Sequence, residues 1–322
     1  MKKTLIAVAL ATLSATSMAD VILYGQIKGG VEVSKIKDVD GTRTQIVDYG
    51  SRIGFKGHEN LGNGLNAIWK VEQNTKVDGS SKGWGNRQAY IGLETTAGTF
   101  RVGKMSTQLD DMDKTDAWEY SNSALGLGMF TRTGQKIVSV RYDSPVFAGF
   151  SANVQFSPRD NAANTVRGVG NPTSGRDDAA KDNAGYYAGL NYENSGFFGR
   201  YAGKFAKHDL EKADREDVLA ARRNGNFDLE VGDVTGVGVK DHQTHRLVAG
   251  YDANNVLVAV AGQYDASKNA NSGAKNERTE VAATAGYRMG NVMPRLSYAH
   301  GFKAKENGVK QANSQYNQVI VG

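Results

Sequence analysis

Val21-Ile-Leu-Tyr-Gly-Gln-Ile-Lys-Gly-Gly-Val-Glu-Val33 places Leu23, Gly25, Ile27, Gly29, Val31 and Val33 on one parity and Tyr24, Gln26, Lys28 and Glu32 on the other. A period of two is the mark of a strand with one apolar and one wet face. The alternation returns at 49–59, where Ile53 and Phe55 oppose Arg52, Lys56 and His58. It returns again at Leu65, Ala67, Trp69 and Val71, which face away from Asn66, Lys70 and Glu72. Similar stripes recur to the end of the chain, among them Val138, Val140 and Tyr142; Phe150, Ala152, Val154 and Phe156; Val256, Val258 and Val260; and Val281, Ala283 and Ala285. Their other faces carry Arg101, Arg141, Asn153, Gln155, Arg200, Lys204, Arg246 and Arg295. Period two leaves the lipid side open, since a soluble sandwich turns the same stripe inward.

The connections favour a membrane. Short links such as 193–196 and 252–255 alternate with long ones at about 34–46, 76–85, 105–135, 158–184, 207–242, 266–278 and 303–315. Bacterial outer-membrane barrels have short periplasmic turns and long outer loops, whereas a compact soluble domain seldom carries many long loops. Tyr and Phe gather near the strand ends, as an interfacial girdle requires. Mean hydropathy of −0.48 is compatible with this reading, because only alternate residues need face lipid.

The first residues describe export. Met1-Lys2-Lys3 is a short basic start, Leu5 to Leu13 is apolar, and Ser17-Met18-Ala19 ends in a small residue, so residues 1–19 read as a signal peptide cut before Asp20. With no cysteine among 322 residues, disulfides are excluded, and size or a closed sheet must supply the stability. The formal charge of +5 is mild, and the basic residues are scattered without interleaved aromatics; no nucleic-acid partner is expected. His242 and His245 lack further ligands at metal spacing and read as a surface pair, so no metal and no cofactor is expected. No nucleophile and base stand out, and the chain is not expected to be an enzyme. Glu211 and Arg215, spaced i,i+4, suggest a short solvated helix in the 207–242 connection.

Counting gives thirteen whole strands and the start of a fourteenth at Tyr316 to Gly322. Such an open set leaves strand edges in lipid. The chain is therefore expected to lack C-terminal strands.

Several ordered segments resemble the Neisseria-type trimeric porins: Asp20-Val-Ile-Leu-Tyr-Gly-Gln-Ile-Lys28, Gly50-Ser-Arg-Ile-Gly-Phe-Lys-Gly57, Trp84-Gly-Asn-Arg-Gln88, Ser139-Val-Arg-Tyr-Asp-Ser-Pro145, His245-Arg-Leu-Val-Ala-Gly-Tyr-Asp252 and Ser297-Tyr-Ala-His-Gly-Phe302. The resemblance spans nearly the whole chain outside the long loops. It implies an all-β fold, a transmembrane antiparallel β-barrel of sixteen strands in the complete family member, over residues 20–322. It also implies a homotrimer in outer-membrane lipid and lipopolysaccharide, passing small ions and hydrophilic solutes by diffusion.

The stretch 105–135 matches the family's third loop, which narrows the pore from inside; it carries Asp110, Asp111, Asp113, Asp116 and Glu119. Parity puts Lys28, Arg52, Lys70 and Arg141 on the wet face, and Arg87 matches a pore-lining arginine of the family. Arg87 shares a register with Ala89, Ile91 and Leu93, so a bulge is expected to turn it inward. Acidic loop and basic wall together would make a transverse field that orients polar solutes. The plain alternative is that the acids solvate an outer loop and the arginines pair locally. A second function also fits a barrel with long loops, that of a surface adhesin. By parity, Arg should be costly at Val140 and tolerated at Asn153.

Overall fold

The computed structural model describes residues 20–35, 41–79, 84–112, 115, 126–130, 133–158, 184–207, 209–212, 234–269 and 272–322. The expected signal peptide lies outside them. Strands run as β1 Asp20–Gln26, β2 Gly29–Ser34, β3 Arg43–Asp48, β4 Arg52–Gly62, β5 Leu65–Asn74, β6 Gln88–Thr95 and β7 Gly98–Ser106. A single helical turn, α1 Gln108–Asp111, precedes β8 Lys136–Asp143, β9 Phe150–Ser157, β10 Gly185–Asn194, β11 Phe197–Ala206 and β12 Asp209–Lys212. Then follow β13 Val234–Ala253, β14 Val256–Asn269, β15 Lys275–Tyr287, β16 Arg295–Gly301, β17 Lys305–Glu306, β18 Val309–Lys310 and β19 Tyr316–Val321.

All ladders are antiparallel and join chain neighbours: β1 to β4, then β4 through β11 in order, β11 to β13, and β13 through β16 to β19. The 2-stranded β2–β3 ladder prolongs the β1–β4 hairpin, β12 prolongs β11 along β13, and β17–β18 prolong β16 and β19. Several connections are therefore shorter than the sequence implies. Of these extensions β2 continues the alternation through Val31 and Val33, whereas β3, β12, β17 and β18 carry no regular apolar stripe, so hydropathy does not reveal them. Residues 209–212 pair with β13, so Glu211 lies in a strand, and the rest of the stretch expected to hold a short helix, Arg215 included, lies outside the described residues. The free backbone edge of a long neighbouring strand outweighs local helix preference there.

The short turns have the chemistry tight hairpins need. Ser195 and Gly196 have φ of 51° and 85°, and Asn254 and Asn255 of 50° and 65°. Two consecutive positive φ values match the right-handed twist of the flanking strands.

Burial decides which face is which. Leu23 is 62% exposed, Leu190 59% and Val260 53%, while Arg246, Glu280 and Gln155 are at 1%, 1% and 4%. A soluble sandwich would show the reverse, so the apolar stripes face outward. The outer face is banded by aromatics: Phe100 against Tyr142, Phe150 against Tyr192 and Phe197 against Tyr251 near the short turns, with Phe156 against Tyr186 near the long connections. From Phe150 to Phe156 the strand rises about 20 Å, which fits an apolar band about 25 Å tall.

Candidate functional site

The segment between β7 and β8 lies on the wet face of the sheet and touches it on several sides. From α1, Gln108 Nε2 donates to Asn191 Oδ1 at 2.5 Å and its Oε1 accepts from Asn153 Nδ2 at 2.6 Å, which ties it to β9 and β10. Farther along, Thr133 Oγ1 donates to Gln263 of β14 at 3.1 Å, and the Thr115 carbonyl accepts from Thr284 of β15. Gln318 of β19 clasps the turn: its Nε2 donates to Gly126 O at 3.0 Å and its Oε1 accepts from Met129 N at 3.0 Å. One segment reaching β9, β10, β14, β15 and β19 on the same face requires the sheet to curl around it.

Its seat is apolar. Leu109, Met112, Leu127 and Phe130 form one buried cluster with Phe198, Ala202, Val248, Ala259, Ala261, Ala282, Ala299 and Ile320. The Arg246 guanidinium lies 5.0 Å from the Phe130 ring centre and donates to Thr115 Oγ1 at 3.4 Å. None of these seat residues was singled out from sequence as part of the pore. A signal for them exists in Val256-Leu-Val-Ala-Val-Ala-Gly262 and Val281-Ala-Ala-Thr-Ala-Gly286, where alternation gives way to nearly continuous small and apolar residues. Such runs mark strands covered on both faces.

The expected basic residues fall into two groups. Arg87 Nε lies 2.7 Å from Glu72 Oε1, while Lys70 Nζ and Arg52 Nε lie 3.3 Å and 4.0 Å from Glu72 Oε2. Tyr24 Oη donates to the same carboxylate at 2.8 Å, crossing Gly54, where a Cβ would stand 2.4 Å from that hydroxyl. Arg87 needs no bulge to reach this place. It precedes β6, so strand parity does not bind it, and its backbone N donates to Glu72 O at 3.2 Å. Glu72 is the residue that sequence reasoning passed over: it was read as a wet-face filler, yet it organises the cations.

Arg141 belongs to the second group. It is 5% exposed and holds Asp111 Oδ2 at 2.8 Å, Asp143 Oδ1 at 2.8 Å and the Ser106 carbonyl at 2.9 Å. Beside it, Lys136 Nζ meets Asp110 Oδ2 at 2.5 Å, and Ser106 Oγ donates to the same oxygen at 2.8 Å. Asp110 and Asp111 thus tie the loop to its own barrel wall. Asp113, Asp116 and Glu119 lie outside the described residues. Lys28 is half-buried at the break between β1 and β2, where its backbone is clasped by Ser51 Oγ (2.8 Å to its N, 3.0 Å to its O). His242 and His245 fall on opposite faces and do not form a surface pair: His242 Nε2 meets Asp265 Oδ2 at 2.9 Å on the wet side, and His245 Nδ1 meets Tyr201 Oη at 2.8 Å outside. Three residues of separation in a strand reverse the face.

A family model described as Gram-negative porin matches residues 20–322. The chain belongs to the Gram-negative porins. The major outer membrane protein P.IB of Neisseria sicca is 58% identical over 335 residues, covering 100% of this porin and 89% of that protein. The protein of the same name from Neisseria meningitidis serogroup A is 42% identical, with 100% and 88% covered. Among solved structures, the anion-selective porin from Comamonas acidovorans superposes with a TM-score of 0.67 at 18% identity, over 94% of this porin and 82% of that chain. Salmonella typhi OmpF superposes with a TM-score of 0.58 at 18% identity, over 93% and 83%. These folds are outer-membrane barrels, and with the family they place this porin in the outer membrane as a channel for passive diffusion of solutes. Family membership assigns it to channels.

Proposed function

We propose that solutes cross this porin through an eyelet whose field is set by Arg52, Lys70 and Arg87 on one wall and by the β7–β8 loop on the other. The observation that carries this reading is the gathering of three cations around one carboxylate, Glu72, leaving two positive charges uncompensated within the group. Arg141 and Lys136 face acids at short range and serve chiefly to hold the loop. A low-dielectric wall strengthens such a field, so a polar solute gains by orienting while an apolar one only loses water contacts. Lys28 and the loop acids Asp113, Asp116 and Glu119 belong to the same proposed site by parity and by resemblance.

The assembly in this reading is a homotrimer set in outer-membrane lipid and lipopolysaccharide, and the chain is exported by residues 1–19. Trimeric assembly is drawn from the resemblance and from OmpT of Vibrio cholerae, solved in a trimer form. Planar-bilayer recording tests the function: conductance steps grouped in threes are expected, and electrically silent folded protein would overturn the reading. Reversal potentials in a salt gradient test the eyelet. The double variant Arg52→Ser and Arg87→Ser should move toward cations, and an unchanged ratio would remove these residues from the selective zone.

A further inference from the structure

Three adjacent strands lay one tyrosine across a glycine. Tyr24 of β1 pairs with Gly54 of β4, and Gly54 pairs with Glu72 of β5, so the three residues stand in one row on the wet face. Two strand spacings, about 10 Å, separate the outer members of the row. Only a long side chain laid flat can bridge them. The Tyr24 ring does so over Gly54, where a Cβ would stand 2.5 Å from its Cζ and 2.9 Å from its Cε1. Its hydroxyl then donates to Glu72 Oε2 at 2.8 Å.

The two oxygens of Glu72 are used differently. Oε1 accepts from Arg87 Nε at 2.7 Å, the length of a charge-assisted bond. On Oε2 the near partner is the neutral hydroxyl, and two cations stand back from it, Lys70 Nζ at 3.3 Å and Arg52 Nε at 4.0 Å. A carboxylate whose side chain is only 4% exposed needs donors, and a hydroxyl supplies one without neutralising a cation. Lys70 has a second reason to stay back, because its Nζ lies 5.4 Å from the Tyr24 ring centre, within cation–π range. Arg52, the farthest of the three cations from the carboxylate, keeps 34% of its side chain exposed, against 19% for Lys70 and 21% for Arg87.

We propose that Tyr24 is a positioning residue of the eyelet: as a neutral donor on Glu72 Oε2, it keeps Lys70 and Arg52 out of contact ion pairs and leaves their charge open to solute anions. The inference rests on the eyelet proposed for Arg52, Lys70 and Arg87. Without the hydroxyl, Oε2 lacks its near donor and the two cations are the closest replacements, so they close on the carboxylate and turn from the lumen. Gly54 shares the role, since any side chain there lifts the ring away from Glu72.

Reversal potentials in a potassium chloride gradient, recorded on the folded full chain in planar bilayers, read the effect. Tyr24→Phe keeps the ring and should lower the anion-to-cation permeability ratio about 1.5-fold, less than the loss of one whole screened charge would. Gly54→Ala should lower it by the same factor, and the two changes together should add nothing further. In a Glu72→Gln background Tyr24→Phe should have no effect, because the carboxylate that draws the cations in is gone. A tyrosine that merely rivets β1 to β5 gives a different result: Tyr24→Phe would lower the urea midpoint in lipid vesicles and leave the ratio unmoved, which would overturn the proposal. An equal fall in the ratio with and without the Glu72 carboxylate would overturn it too. The eyelet itself is read from Arg52→Ser combined with Arg87→Ser. A ratio moved by that pair and not by Tyr24→Phe sinks the role of the tyrosine alone, whereas a ratio moved by neither sinks the eyelet with it.

Discussion

The two walls of the lumen share the same apolar exterior and differ completely inside. On β4–β6 the inner face carries Arg52, Lys70 and Glu72, with Arg87 just ahead of β6. On β11–β19 it carries Phe198, Ala202, Val248, Ala259, Ala261, Ala282, Ala299 and Ile320, and the loop packs on them. The first wall keeps its polar groups for water and solute; the second turns its small and apolar side chains, together with Arg246, Gln263, Thr284 and Gln318, to holding the loop in place. A pore with an internal constriction needs both, since charge without a docked loop leaves a wide lumen, and a docked loop without charge leaves a narrow neutral one.

The largest expected effect comes from making the second wall resemble the first. Ala259, fully buried under the loop, replaced by Arg would put an unpaired cation and extra volume into that contact. A cost of about 3–5 kcal/mol is expected, relieved by expulsion of the loop, so single-channel conductance should rise. Unchanged conductance with unchanged stability would erase the distinction between the walls.

Next in size is a change that touches neither wall. Val140, 43% exposed on the outer face, replaced by Arg should cost about 2–4 kcal/mol if it lies near the bilayer midplane. Urea titration in lipid vesicles measures it. Asn153→Arg, harmless by strand parity alone, should now also be costly, because Asn153 is 3% exposed and bonds Gln108 of the loop. Equal stability of Asn153→Arg and wild type would show that α1 is not seated as described.

A smaller effect is expected from the clasp. Gln318→Leu strips Gly126 O and Met129 N of their side-chain partner. That should cost about 1–3 kcal/mol and show as increased current noise from a looser loop. Current noise identical to that of wild type would assign the loop's hold to its apolar seat alone.

The smallest belongs to the charged wall. Arg87→Ser should leave stability within about 1 kcal/mol because its partner Glu72 keeps Lys70, Arg52 and Tyr24. The anion-to-cation permeability ratio should fall roughly twofold, the scale of one screened charge. A ratio unmoved by this change, together with one moved by Arg141→Ser, would exchange the roles given to the two arginines.

Much of the fold was legible in residues 21–33 and their repeats, because alternation forces every strand to present one apolar face, and tight turns at Ser195-Gly196 and Asn254-Asn255 require residues that tolerate positive φ. The side of the wall for Arg52, Lys70 and Arg141 followed from the same parity. Arg87 did not, because it precedes its strand. At residues 209–212, including Glu211 of the expected helical pair, the edge of β13 took up the chain as a strand. The loop's seat at Val248, Ala259 and Gln318 was not read at all. A loop meets residues more than a hundred positions away only after the sheet has curled, so no local period records the pairing. Sequence by itself therefore determined the strands, their apolar faces and the charges available to a pore. Tertiary structure alone decided that the apolar faces look outward, that Glu72 gathers three cations, and that small residues on one inner wall receive the loop, since each depends on groups brought together by strand pairing and the curl of the sheet rather than by spacing along the chain.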